Sequence, residues 1–299
     1  MPHPSKSDLS LEDMATCLEA SDDYRVLRRL PQRRLIAPSE GETRRGLFLD
    51  VETTGLNPAK DEVIELAMVP FVYGVDGRIF EIGEAYVGRQ QPSQPIPKEI
   101  TALTGIDDAG VAGKVIDMEA VKALIAPAAL VVAHNAAFDR RFAERLCDMF
   151  SLKAWACSMS EVDWVSEGHE GVKLAYLGMG AGFFYERHQA LHDCLAALEL
   201  LAGTMADGQP AFAQLLARAR RPLFRIWAEH APFELKDALK SRGYRWNGDG
   251  NGAPRAWYID VDEADRATEV EFLQKEIYQR EVHPLMKMIT AYDRYSDRI

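Results

Sequence analysis

The chain has 299 residues and a formal charge of −11, and its hydrophobic content of 47% is that of an ordinary globular protein. No apolar run approaches the roughly 18 residues that span a membrane, the N-terminus lacks the apolar core of a secretory signal, and the four cysteines have neither metal nor redox spacing. These features predict a cytoplasmic protein with reduced thiols and no membrane partner. The acidic excess argues against a polyanionic partner, but almost all of it lies in residues 46–220, where 24 acidic residues accompany 14 basic ones.

The first 45 residues form a polar and basic extension. Residues 1–24 are polar, and we expect them to be weakly ordered. Residues 24–38 are basic and partly amphipathic, which favours a solvated helix tied to the core through its leucines. Contact of this segment with nucleic acid is the alternative.

Residues 46–205 show the pattern of an α/β domain. A strand begins at Gly46, and two β-rich stretches follow at 62–74 and 78–88, joined by a tight turn as in an antiparallel meander. Helices alternate with two further strands at 129–134 and 154–159. The predicted helices are 97–106, 118–127, 135–150, 171–179 and 190–205. This order implies a mixed five-stranded sheet with flanking helices.

The remaining residues are predicted to form a linker and a small second unit. Residues 206–220 form a hinge-like linker, and residues 221–299 form an α+β module. The pattern predicts a strand, a helix at about 233–242, a hairpin around 247–254 and a long final helix at about 263–295.

The first strand of the α/β domain carries two carboxylates on one face. Asp50 and Glu52 are two positions apart in "FLDVETTGL", so their side chains point to the same side of the strand. Two carboxylates held together on a buried strand repel each other and lose water. The pattern therefore indicates a cation between them.

Two more acids and a histidine complete the candidate site. Asp139 stands in the first turn of the helix at 135–150, and Asp193 near the start of the helix at 190–205. His188 converges with Asp193 only if it lies on the loop before that helix, because five helical residues turn about 140° around the axis. There it is placed to act as a general base. Four carboxylates without cysteine ligands suit Mg²⁺ or Mn²⁺.

Three segments resemble the motifs of the DnaQ-like 3′→5′ exonucleases, in the histidine-containing subclass of the family that includes the proofreading epsilon subunit of DNA polymerase III. The segments are "FLDVETTGL", "VVAHNAAFD" and "HQALHDCLAAL", and their order and spacing agree with the family. The resemblance covers about residues 46–205. It implies a ribonuclease H-like sheet that holds two divalent metal ions.

Carried over by position, the resemblance gives each candidate residue a role. It implies that Asp50 bridges both ions, that Glu52 and Asp193 bind the ion on the nucleophile side, and that Asp139 holds the second ion. His188 would deprotonate the attacking water, between two ions that stabilise the entering and leaving oxygens.

A second group of residues is implied to contact the 3′-terminal nucleotide: Thr53, Thr54, Gly55, Leu56, Asn135 and Phe138. Structural explanations stay open for three of them. Gly55 suits a turn with positive φ, Asn135 beside His134 suits a helix cap, and Phe138 suits the core.

Basic and aromatic residues interleave at 239–259 in the C-terminal module. Such a composition is typical of surfaces that bind single-stranded nucleic acid, and the stretch resembles the HARP-type DNA-binding module of annealing helicases. The predicted DNA contacts are Lys240, Arg242, Tyr244, Arg245 and Arg255. Trp246 and Trp257 are predicted to form the small core of the module, which leaves its arginines and tyrosines exposed.

Together these features predict a Mg²⁺- or Mn²⁺-dependent 3′→5′ exonuclease that releases nucleoside 5′-monophosphates from DNA, preferably from single-stranded or frayed ends, in proofreading or repair. The motifs do not separate DNA from RNA, so an RNA-trimming exonuclease is one alternative. An accessory subunit that docks onto a polymerase or repair complex is the other.

Overall fold

A computed structural model describes residues 10–31, 41–248 and 252–299. The helices of these residues are α1 (Leu11–Glu19), α2 (Lys98–Thr104), α3 (Asp108–Val111), α4 (Met118–Ile125), α5 (Ala136–Leu146), α6 (Leu174–Gly180), α7 (Ala190–Ala202), α8 (Ala211–Arg220), α9 (Lys236–Ser241) and α10 (Arg266–Phe272). The strands are β1 (Arg28–Arg29), β2 (Thr43–Thr53), β3 (Val63–Gly74), β4 (Ile79–Ile82), β5 (Tyr86–Arg89), β6 (Leu130–Ala133), β7 (Trp155–Cys157), β8 (Phe183–Phe184), β9 (Leu223–Ala228), β10 (Arg245–Trp246), β11 (Trp257–Asp262) and β12 (Met286–Ile289).

The central sheet is mixed, with the strand order β4-β3-β2-β6-β7 and with β5 also paired to β3. β2 and β3 are antiparallel, whereas β6 is parallel to both β2 and β7. The mixed sheet and the meander are confirmed. The stretch at 78–88, however, forms two strands instead of one, so the sheet has six strands. The break falls at Gly83, whose N–H donates to the carbonyl of Pro70, a residue that has no N–H to donate back.

Strand β2 is covered on both faces. Leu49 faces an apolar cluster to which α4 and α5 contribute. Phe48 faces a second cluster, which α6, α7 and α8 supply. Because side chains alternate along a strand, Asp50 and Glu52 share the face of Phe48 and lie under α7.

The described part of the N-terminal extension contains regular secondary structure that its composition did not indicate. Residues 11–19 form α1, which begins with a reciprocal capping box between Ser10 and Asp13. The predicted helix is wrong over residues 24–31, because β1 instead pairs in parallel with β8. The rest of that predicted helix, residues 32–38, lies outside the described residues.

The predicted hinge-like linker is a packed helix. Residues 211–220 form α8, and its apolar side belongs to the same cluster as α7. The buried residues of α8 recur at helical spacing: Ala211, Phe212, Leu215, Leu216 and Ala219. A helix that buries five side chains cannot act as a hinge, so the linker prediction is wrong for this stretch.

The C-terminal residues form a second sheet with the order β10-β11-β9-β12. The first strand, the helix and the hairpin are confirmed, although the hairpin tip at 249–251 lies outside the described residues. The long final helix is wrong. After α10 and a π-type turn at Leu273–Tyr278 the helix ends at Gln279, which has φ 51°, and Pro284 precedes β12. The backbone of β12 pairs with β9 and becomes an edge of the sheet.

The last residues return to the first sheet. The buried guanidinium of Arg140 donates to the main-chain oxygens of Tyr292 at 2.7 Å and Arg294 at 2.6 Å. The N–H of Trp155, on β7, donates to the carbonyl of Ala291 at 2.8 Å. The C-terminal segment is thus held against α5, the helix that carries Asp139.

Where the chain divides into domains stays a prediction. Among the described residues, no helix is both long and apolar enough to cross a bilayer.

Candidate active site

Three carboxylates meet where α7 begins above β2. Asp50 and Glu52 project from β2, and Asp193 lies in the first turn of α7. The three residues each offer one oxygen, and these oxygens lie within 4.8 Å of one another. Oxygens at that separation can be shared ligands of hard divalent cations.

Asp139 approaches the same place from the other side of the strand. It lies in the first turn of α5 and is only 2% exposed. Its Oδ1 accepts a hydrogen bond from the main-chain N–H of Val51 at 3.2 Å. Since Val51 stands between Asp50 and Glu52, this bond places Asp139 beside the three-carboxylate cluster.

The carboxylates of the site repel one another, and burial together with this repulsion raises their pKa values. Burial raises the pKa of Asp50 well above its usual range, and the charges of Asp139 and Asp193 raise it further. Burial, with the charges of Asp193 and Glu65, raises the pKa of Glu52 to about 8. Burial likewise raises the pKa of Asp139. None of the four candidate ligands forms a salt bridge with a lysine or arginine in the part of the chain that the structure describes. The donor set therefore fits two divalent cations, whose charge would balance four carboxylates.

His188 lies next to Asp193. It stands on the loop before α7, with φ 59°, and its side chain is exposed. Asp193 interacts with His188 electrostatically and through the main-chain N–H of that residue. The condition that His188 must precede the helix to converge with Asp193 is met.

Sequence reasoning missed Tyr185. Its hydroxyl donates to Oδ1 of Asp193 at 3.0 Å. Burial raises the pKa of Asp193, and the hydrogen bonds from Tyr185 and from the main chain of His188 and Gln189 oppose that rise. Tyr185 thereby orients a candidate ligand. A single tyrosine before the third motif offers no periodic signal that would have identified it.

The turn after β2 is held by its own hydrogen bonds. The hydroxyl of Thr53 donates to the carbonyl of Gly55 at 2.6 Å, and that of Thr54 accepts from the N–H of Glu62 at 2.9 Å. Leu56 is 82% exposed at the tip of this turn. The explanation of Gly55 by positive φ is wrong: a Cβ there would lie 2.6 Å from the carboxylate of Asp61, so close approach is what requires glycine.

The residues around the second motif divide into structural and exposed ones. His134 is neutral, because burial lowers its pKa to about 4, and its ring bonds Ser158 and the carbonyl of Val172, each at 2.9 Å. Asn135 has φ 75° and makes no side-chain cap hydrogen bond, so the cap explanation is wrong for it. Phe138 packs partly against the core.

The predicted DNA contacts of the C-terminal module differ in their surroundings. Lys240 and Arg255 are exposed. Arg242 pairs with Glu269 at 3.0 Å, whereas Arg245 pairs at 3.1 Å with Asp260, a carboxylate that it shares with Arg225.

The buried and exposed aromatic residues of the module are not those that we expected. Tyr244 is 3% exposed and belongs to the core of the module, so its predicted role in DNA contact is wrong. Trp246 is 53% exposed, so the predicted tryptophan core is wrong for it, whereas Trp257 is half-buried and packs against the core cluster. The core is built from β9, α9 and the π-type turn, through Ile226, Leu239 and Leu273.

Comparison with known proteins identifies the class. A family model described as an exonuclease matches residues 47–201, which run from β2 to the end of α7 and include all four candidate metal ligands. This is more than half of the chain, and the protein belongs to this exonuclease family. Its domain is of the DnaQ-like type, with the ribonuclease H-like fold.

Individual relatives agree with this family. A DNA polymerase III subunit epsilon-like protein of Rhodobacter capsulatus is 32% identical over 197 residues, covering 58% of this chain and 26% of the relative. A PolC-type DNA polymerase III of Caldanaerobacter subterraneus subsp. tengcongensis is 30% identical over 170 residues, covering 55% of this chain and 12% of the relative. The chain thus spans about a quarter or less of the length of these relatives.

The fold also occurs in a solved nuclease. The structure of E. coli exonuclease I in complex with an oligonucleotide is 16% identical in sequence and superposes with a TM-score of 0.50. The match covers 74% of this chain and 63% of that chain. At this identity the likeness concerns the fold.

Proposed function

We propose that the protein is a metal-dependent 3′→5′ exonuclease that hydrolyses the last phosphodiester of DNA, preferably at single-stranded or frayed ends, and acts in proofreading or repair. The observation that carries the proposal is the cluster of Asp50, Glu52 and Asp193 with Asp139 beside it. The naming of its relatives as DNA polymerase III proteins supports DNA as the substrate.

Asp50, Glu52, Asp139 and Asp193 would hold two ions of Mg²⁺ or Mn²⁺. When bound, the ions supply positive charge to the scissile phosphate. Water attacks the phosphorus atom and the bond from phosphorus to O3′ breaks, which releases a nucleoside 5′-monophosphate and leaves a new 3′-hydroxyl. His188 accepts the proton of the attacking water at a ring nitrogen, and Tyr185 keeps the carboxylate of Asp193 turned toward the site.

The turn at 53–56 would receive the terminal nucleotide. The side chain of Leu56, exposed at the tip of this turn, is the group that would contact a base. Asn135 and Phe138 border the same site from the start of α5. Because an apolar side chain contacts any base, this arrangement favours a nuclease without sequence preference.

Degradation of end-labelled oligonucleotides tests this function. With Mg²⁺ or Mn²⁺, a 5′-labelled single strand of DNA is expected to give a shortening ladder. The same strand with a 3′ label is expected to release labelled mononucleotide from the start. A ladder from the 3′-labelled strand would contradict the polarity. Faster degradation of matched RNA would favour the RNA-trimming alternative, and no degradation of either would favour a docking subunit.

Removal of the proposed base should slow the chemistry without weakening metal binding. His188→Gln is expected to lower kcat by about 10²–10⁴-fold, the contribution typical of a positioned general base. The rise in Tm on addition of Mg²⁺ should remain, because His188 is not a proposed ligand. His192→Gln is the matched control, since His192 lies in the first turn of α7 near Glu186. An equal loss in both variants would mean that His188 is not the base.

A further inference from the structure

The C-terminal module carries a row of aromatic and lysine side chains that the predicted contacts largely left out. We define the aromatic–lysine stripe as Phe233, Lys236, Lys240, Trp257 and Trp246. Phe233 is 73% exposed and precedes α9, whereas the two tryptophans belong to the hairpin of β10 and β11.

Each member of the stripe lies against the next. The Nζ of Lys236 is 4.0 Å from the ring centroid of Phe233, and the Nζ of Lys240 is 5.9 Å from that of Trp257. The rings of Trp257 and Trp246 are 5.7 Å apart in an edge-to-face arrangement. Lys236 and Lys240 are four residues apart on α9, so they lie on one face at about 5–6 Å between their Cβ atoms.

The charge of the stripe is not compensated locally. Within the described residues, neither Lys236 nor Lys240 forms a salt bridge, whereas Arg242 and Arg245 nearby are each paired with an acid. Asp237 is three residues before Lys240, the spacing of neighbours on a helix, but the two form no salt bridge in the part of the chain that is described. The face that carries the aromatic rings therefore offers two ammonium groups without an ion-pair partner.

We propose that the aromatic–lysine stripe binds single-stranded nucleic acid, with bases stacked on Phe233 and Trp246 and backbone phosphates on Lys236 and Lys240. Exposed rings beside ammonium groups that form no ion pair offer partners for both the bases and the phosphates of a single strand. The bases of a duplex are stacked on one another and are not available to stack on protein side chains. The inference rests on the proposed function in one respect: a nuclease that acts on single-stranded ends has such a strand to hold.

Fluorescence anisotropy of labelled oligothymidylate with the full chain, without metal and with EDTA, tests the stripe. Phe233→Ala and Trp246→Ala are each expected to weaken binding by about 5-fold to 150-fold, since one base stack contributes about 1–3 kcal/mol. Lys236→Ala with Lys240→Ala should lower the slope of log K against log salt by about 0.7 for each lysine. Tyr292→Ala and Lys275→Ala, an exposed aromatic and an exposed lysine of the same module, are the matched controls and should bind like the unaltered chain.

Conservative variants separate stacking from folding. Phe233→Tyr and Trp246→Phe keep a ring and should restore most of the affinity, and an unchanged Tm in the alanine variants excludes damage to the fold as the cause of their loss. Binding that is unchanged in the alanine variants, or lowered equally in the controls, overturns the proposal. The proposal is also overturned if the affinity for duplex DNA depends equally on Phe233 and Trp246. Binding of single-stranded RNA that depends on the same residues supports the proposal, and so does preferential binding of single-stranded DNA.

The outcome for the stripe is distinguishable from that for the nuclease. Binding is measured without metal, so a chain that binds through the stripe but cleaves nothing refutes the proposed function alone. A chain that cleaves DNA while its stripe variants bind normally refutes only the inference.

Discussion

Asp50→Asn is expected to abolish nuclease activity and, in the same protein, to stabilise the metal-free fold. Asp50 is the proposed ligand common to both ions, and the charge stabilisation that such ions supply amounts to several kcal/mol, so the rate should fall by at least about 10³-fold. Without metal, however, Asp50 is a partly buried acid next to Asp139, Asp193 and Glu52. Replacement by a neutral side chain of the same shape removes this repulsion.

The pH dependence of stability provides the second half of the test. Folded Glu52 has a pKa of about 8 against an ordinary value of 4.5, and the pKa of Asp50 is raised in the same direction. Between these values the folded state holds protons that the unfolded state has released, so the stability of the metal-free protein should decrease as the pH rises from about 4.5 to about 8. The stabilisation by Mg²⁺ should increase over the same range, because the ion binds the ionised carboxylates.

Thermal unfolding in EDTA and in Mg²⁺, across that pH range, measures both effects. We expect a higher Tm for Asp50→Asn than for the unaltered chain in EDTA at pH 8, and little further gain with Mg²⁺. Glu119→Gln, a change at an exposed acid far from the cluster in sequence, controls for the general loss of a negative charge. An Asp50→Asn protein that is less stable without metal would argue against a strained metal site.

Arg294→Ala is expected to destabilise the fold by about 3–5 kcal/mol, the effect of removing one partner of a buried ion pair. The guanidinium of Arg294 contacts the carboxylate of Glu161 and donates to the main-chain oxygens of Arg218 and Arg221. Both side chains of the pair are almost completely buried. Burial raises the pKa of Glu161, and Arg294 counteracts that rise, so its removal leaves an unpaired acid in the interior.

Urea unfolding of the single and double variants measures the contribution of this ion pair to the free energy of unfolding. Glu161→Gln combined with Arg294→Met should recover part of the loss, because neither charge is then left alone. Arg298→Ala is the matched control: its partner is Glu144, its own side chain is 43% exposed, and its removal should cost no more than about 1 kcal/mol. A cost for Arg294→Ala as small as that of the control would show that the C-terminal segment is not needed to hold the fold.

The sequence predicted the site best where the signal is local. The shared face of Asp50 and Glu52 follows from the alternation of a strand, and the apolar periodicity of residues 135–150 and 190–202 places Asp139 and Asp193 at helix starts. The order of strands and helices was enough to predict a mixed sheet. These inferences concern residues two to four positions apart, which is the range over which backbone geometry alone sets side-chain direction.

The sequence also contained signals that were misinterpreted. The spacing of Phe212, Leu215, Leu216 and Ala219 is that of an amphipathic helix, and α8 is one. Residues 263–295 were expected to be one helix although Pro284 cannot continue a helix. In both cases a local rule was available and pointed to the structure.

The tertiary structure decided the features whose partners are distant in the chain. Arg294 and Glu161 are separated by 133 residues, and Arg140 and Arg294 by 154. Tyr244 precedes β10 and enters the core through contacts with Leu239, Leu273 and their neighbours, whereas Trp246 on β10 stays exposed. The sequence alone thus determined the candidate ligands and the elements that carry them, because periodicity is a property of neighbouring residues. Only the tertiary structure decided which polar groups support those ligands and which aromatic rings remain exposed, because burial depends on contacts between segments far apart in the chain.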